Sequence, residues 1–107
     1  MRKDEFIKPG STVFASFDKL KQIVETHTSL SFVWPEEGEF SPNGKWRFNA
    51  TYQGFQPLMI DPTTAQLLVL SHKALLTDST REKVERIIAR SRGTFGTFVE
   101  ICWRHVK

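Results

Sequence analysis

Apolar and polar residues alternate along this chain with two periods, and the period changes several times. From Ser11 onward Val13, Phe14, Phe17, Leu20, Ile23 and Val24 recur at three- and four-residue spacing, with Asp18, Lys19, Lys21, Gln22 and Glu25 between them. That spacing predicts an amphipathic helix, opened by Pro9-Gly10-Ser11 and fading at Thr26-His27-Thr28. Leu30, Phe32 and Trp34 then alternate with Ser31 and Val33, the period-two pattern of a strand with a buried face, and Pro35 stops it. Residues 36–44 carry Ser41-Pro42 and Asn43-Gly44, turn chemistry because Asn and Gly tolerate positive φ and Pro fixes its own. Trp46, Phe48, Ala50 and Tyr52 alternate with Lys45, Arg47, Asn49, Thr51 and Gln53, which predicts a second strand, ended by Gly54 and Pro57 and paired as a hairpin with residues 30–34.

Leu58-Met59-Ile60 reads as a further short strand. Across residues 62–76 the apolar positions spread around a helical wheel, and Leu67 to Leu70 would serve equally as a buried strand; the Leu, Ala, Gln and Lys content tips the balance to helix. Ser79-Thr80-Arg81-Glu82 has the form of a capping box, and the helix it opens carries Val84, Ile87, Ile88 and Ser91 on one face and stops at Gly93. Residues 98–106 are rich in aromatic and β-branched side chains and predict a closing strand. The sum is an α+β fold: one two-layer domain over residues 1–107, with a largely antiparallel sheet and two or three helices packed on one face.

Length supports a single domain, since 107 residues can bury one core without disulfide or metal staples, and nine Phe, three Trp and one Tyr supply large core side chains. The lone Cys102 has no second cysteine for a disulfide or a zinc pair. With no run of eighteen apolar residues and no hydrophobic leader, a cytoplasmic protein without membrane contact is expected.

Charge distribution suggests a partner more than net charge does. Residues 1–53 hold seven Lys and Arg against seven Asp and Glu, whereas residues 54–107 hold eight against five. Lys83, Arg86 and Arg90 lie at spacings of three and four on the predicted helix, and Arg92 and Arg104 extend this cationic stripe into a candidate anion or nucleic-acid surface. The stretch Arg92-Gly93-Thr94-Phe95-Gly96-Thr97-Phe98-Val99 also approximates the aromatic signature of RNA recognition strands. However, Phe95 and Phe98 are three apart and an ideal strand sends them to opposite faces, so a core strand entered through a Gly-rich turn is the better reading. In residues 45–53 the aromatics and the cations likewise fall on opposite faces.

Catalytic chemistry is sparse. His27, His72 and His105 are isolated and match no metal-ligand spacing, and no cofactor motif occurs. Cys102 with His105 is the one nucleophile-and-base pair in sequence, but three apart on a strand they diverge. The thirteen aromatics suggest instead a surface for another polypeptide or a second copy, with Trp34, Phe55 and Trp103 as interface rings. The expectation is a small non-enzymatic binding or accessory protein acting through protein contacts, including a homodimer. A nucleic-acid module built on Lys83, Arg86, Arg90, Arg92 and Arg104 is the alternative, and a small-ligand or catalytic pocket at Cys102 and His105 the third reading.

Overall fold

The computed structural model describes residues 11–104. It begins with a strand, β1 (Ser11–Phe14), which replaces the first turn of the expected helix. Val13 and Phe14 mimic helical spacing with Phe17, but Ser16 breaks the chain: its backbone is extended, and its hydroxyl accepts the Lys19 amide at 3.2 Å as an N-cap. Helix α1 therefore runs Phe17–Thr26 and closes on His27, held in the left-handed region at φ 54° where glycine is commoner.

Strand β2 (Leu30–Val33) lies at the centre of the first sheet. It pairs parallel with β1 on one side and antiparallel with β5 (Leu58–Ile60) on the other, which confirms the short strand read at Leu58. Both its flanks being taken, β2 cannot form the expected hairpin with the Trp46 strand. That strand is shorter than its alternation suggests: β4 spans Trp46–Phe48, and Ala50–Tyr52 forms a 3-10 turn. Its partner is the nearer segment β3 (Gly38–Phe40), joined through a tight loop in which Gly44 takes φ 86°. A Cβ at Gly38 would sit 2.0 Å from the Arg47 carbonyl oxygen, so this close approach requires glycine.

The ambiguous segment is helical: α2 covers Pro62–Lys73, with Pro62 at its first position. The Thr64 hydroxyl, bonded to the carboxyl group, holds Asp61 below its ordinary acidity range at this helix start. Helix α3 runs Asp78–Arg90, and its cap is Thr77, which accepts the Thr80 amide, instead of Ser79. The largest departure follows. Residues 92–104, expected to enter a closing strand, form helix α4 (Arg92–Arg104). Ser91 and Thr94 start it by a reciprocal bond, each side-chain oxygen accepting the other residue's amide at 3.1–3.2 Å. Phe95, Phe98, Val99 and Cys102 then fall at helical spacing on the core side.

The fold is α+β, with four helices among the described residues. Leu30 and Phe32 on one face of β2, and Trp34 just past its end, meet Leu20, Ile23, Leu68, Ile88 and Phe95 from the helices. On the opposite face Phe14, in register with Val33, carries its ring against Phe40 and Trp46 at centroid distances of 5.0 and 5.7 Å. The β3–β4 hairpin thus occupies part of the sheet face that the two-layer expectation left open. No helix among the described residues is long and apolar enough to cross a membrane.

Candidate binding surface

The change of residues 92–104 from strand to helix rearranges every candidate residue near them. At the start of α4, Arg92 turns inward and grips the carboxylate of Glu37, which is 1% exposed, with Nε donating to Oε2 at 2.8 Å and Nη2 donating to Oε1 at 3.0 Å. Nη2 also donates to the Gln56 carbonyl at 3.0 Å, and the guanidinium lies over the rings of Trp34 and Phe55 at 5.3 and 5.2 Å. Arg92 therefore locks the loop after β2 to α4 and does not belong to an open cationic stripe. In the open cleft beside it, about 390 Å³ and lined by Glu36, Glu37, Tyr52, Phe55, Ser91, Arg92 and Gly93, Glu37 and Arg92 are already paired with each other. Burial, followed by the charges of Glu36 and Glu37, raises the Tyr52 hydroxyl above its ordinary range.

The aromatic candidates separate. Trp34 is completely buried, its indole Nε1 donating to the Ile88 carbonyl at 3.0 Å, so it belongs to the core. Phe55 and Trp103 are each nearly half exposed. Among the histidines, His72 is buried between Phe17, whose ring stacks on it at 3.9 Å, and Glu85, whose Oε2 lies 2.8 Å from Nε2. No three His, Cys, Asp or Glu residues are arranged to hold a metal ion among the described residues. His105 lies outside them, so the arrangement expected at Cys102 and His105 has only its cysteine on view. Cys102 is 5% exposed on the core side of α4, and burial pushes its thiol up, opposed in part by a hydrogen bond from Ser71. Such a thiol stays protonated and shielded. Alkylating reagents are expected to leave Cys102 unmodified in the folded protein and to modify it in denaturant, which mass spectrometry reads directly. The stability the neutral thiol contributes is fully present below its ordinary value of 9.0 and declines as pH rises beyond it.

What sequence reasoning missed is the groove between α3 and α4. Val84 and Ile87 from α3, Thr94, Thr97, Phe98 and Ile101 from α4, and Leu75 from the α2–α3 connection line a depression of about 430 Å³. Both threonine hydroxyls are turned into backbone: Thr94 donates to the Ile87 carbonyl at 2.7 Å and Thr97 to the Gly93 carbonyl at 3.1 Å. They therefore offer methyl groups to the groove, whose lining is apolar throughout. Ile87 is 37% and Ile101 45% exposed. Arg81 fixes one end by donating to the Leu75 carbonyl at 2.7 Å. The sequence signal for the groove is the stripe Phe95, Phe98, Val99 and Cys102, whose helical spacing competes with the β-rich composition of residues 98–106.

The remaining cations sit relative to this groove in different ways. Lys83 and Arg90 precede Ile87 by four and follow it by three residues, so both flank it on the same face of α3. Both are exposed and neither has a carboxylate partner among the described residues. Arg86 points about 100° away from Ile87 and lies 3.6 Å from Glu82, and Arg104 pairs with Glu100 at 3.2 Å. Comparison of the chain with models of known protein families, with curated proteins and with solved structures found no match.

Proposed function

We propose that this is a small non-enzymatic binding or accessory protein that acts by contact with another polypeptide, and that the α3–α4 groove is its contact surface. The observation that supports this reading is the groove itself: an apolar, solvent-open depression between α3 and α4, lined by aliphatic and aromatic side chains and by threonines whose hydroxyls are already bonded. An apolar depression rimmed by polar residues is the kind of surface on which polypeptide partners dock. No titratable side chain lines it, so it offers shape and apolar area instead of acid, base or nucleophile. The nucleic-acid alternative draws on fewer cations than the sequence implied, because Arg92 is committed to Glu37 and both Arg86 and Arg104 have acidic neighbours.

The test is a selection of displayed helical peptides against the protein, counter-selected on Ile87→Asp, a substitution at a position exposed enough to spare the core. Binders are expected whose affinity falls about thirtyfold, roughly 2 kcal/mol, on that variant, the scale of a central apolar contact. Absence of any binder sensitive to Ile87→Asp would remove the groove as the functional surface. Salt-sensitive binding of labelled nucleic acid by a protein that yields no such peptide would install the alternative.

A further inference from the structure

Resting on the groove reading, we propose that the occupant is an acidic amphipathic helix of a partner protein, seated with its apolar side between α3 and α4 and its carboxylates along the α3 rim. Shape gives the helical form. The lining residues of α4 extend from Thr94 to Ile101, about 10 Å of helix, and present a trough between two helices that a third helix of two to three turns fills with side chains spaced at i, i+3 or i+4 and i+7. An extended strand would bring rows of unpaired backbone amides and carbonyls against a lining of aliphatic and aromatic side chains whose only hydroxyl protons already go to backbone carbonyls.

Charge gives the acidic side, and only one side. Lys83 and Arg90 stand on the α3 rim without carboxylate partners among the described residues, two turns apart and both next to Ile87. On the α4 rim Arg104 is offset by Glu100. The groove is therefore basic along one edge and balanced along the other. A helix lying alongside α3 meets Lys83 and Arg90 with carboxylates seven residues apart, because the two cations are themselves seven residues apart. The same rim argues against a second copy of this chain as occupant: a twofold contact through this groove would set Lys83 and Arg90 against their own counterparts.

The experiment uses a displayed library of helical peptides with a fixed apolar face at i, i+3 and i+7 and randomised residues on both flanks, selected on the whole protein and on Lys83→Glu/Arg90→Glu. Enrichment of Asp and Glu on one flank is expected with the natural protein. Measured by fluorescence anisotropy, the enriched peptides should lose about tenfold in affinity on the charge-reversed protein and weaken with salt, as rim charge pairs do. Ile87-sensitive peptides with neutral or basic flanks, or ones indifferent to the charge reversal, overturn the acidic partner while leaving the groove as a binding surface. Absence of any Ile87-sensitive peptide overturns both. Nucleic-acid binding that disappears on Lys83→Glu/Arg90→Glu with no peptide bound assigns the rim to a different partner class and overturns the proposal as well. Circular dichroism of each variant, with melting unchanged, ties every loss to the surface, since Lys83, Ile87 and Arg90 all lie outside the buried core.

Discussion

Arg92→Ala is expected to cost about 3–5 kcal/mol of stability, because it leaves a buried carboxylate without the cation that compensates it. Glu37 is 1% exposed, and the structure gives it both forks of the Arg92 guanidinium at 2.8 and 3.0 Å. The same guanidinium satisfies the Gln56 carbonyl and covers Trp34 and Phe55, so truncation opens a space above Trp34 too. A loss of that size is a large share of the stability of a domain of this length. Urea denaturation of Arg92→Ala, Glu37→Ala and the double variant measures it. The double variant is expected to be much less destabilised than the two single losses added together, since removing both partners leaves no lone charge behind. Additive losses would show that the two residues act independently and that the ion pair is not what holds the loop to α4.

Phe95→Ala is expected to cost a similar amount, about 3–5 kcal/mol, for a different reason: it leaves a cavity. Phe95 is completely buried, with ring centroids 5.7 Å from Phe32 and 5.6 Å from Trp34, so it joins α4 to the central strand. Aromatic contacts in that arrangement add to the area term. Thermal melting and urea midpoints of Phe95→Ala and the milder Phe95→Leu give the measurement, with Phe95→Leu expected to lose clearly less. The result also separates two roles for one residue. A ring set out to stack on bases would be exposed and its removal nearly neutral for folding; a ring at the junction of sheet and helix cannot be removed cheaply.

That residue shows where sequence reasoning succeeds and where it fails here. The helical period of Phe17, Leu20, Ile23 and Val24, the alternation of Leu30, Phe32 and Trp34, and the short strand at Leu58 were all legible, because each lies on a face set by local geometry. The α+β class follows from them. The failures arose where two periods fit the same residues. Ser11–Phe14 satisfied the helical spacing, yet its β-branched residues found a ladder on β2, a partner some twenty positions away that no local pattern can reveal. Residues 98–106 carry β propensity, yet residues 98–104 continue helix α4, because burying Phe95, Phe98, Val99 and Cys102 together outweighs the weak preferences of single residues and of the two glycines before them.

The candidate surface was legible in smaller part. Lys83, Arg86 and Arg90 could be placed on one stripe from spacing alone. That Arg92 does not extend this stripe could not be read from spacing, since Glu37 is fifty-five residues away and only folding brings the two together. The groove is invisible in the sequence for the same reason, being made where α3 and α4 meet, while the local composition of residues 98–106 favours a strand. Sequence by itself determined most of the periods, the turn at Asn43-Gly44 and the supply of charge, all of which act over a few residues. The choice of strand partners, the direction of α4, the burial of Trp34 and the pairing of Arg92 belong to the folded chain, because hydrophobic burial and buried ion pairs draw their energy from residues far apart in sequence that must be brought close before either can stabilise anything.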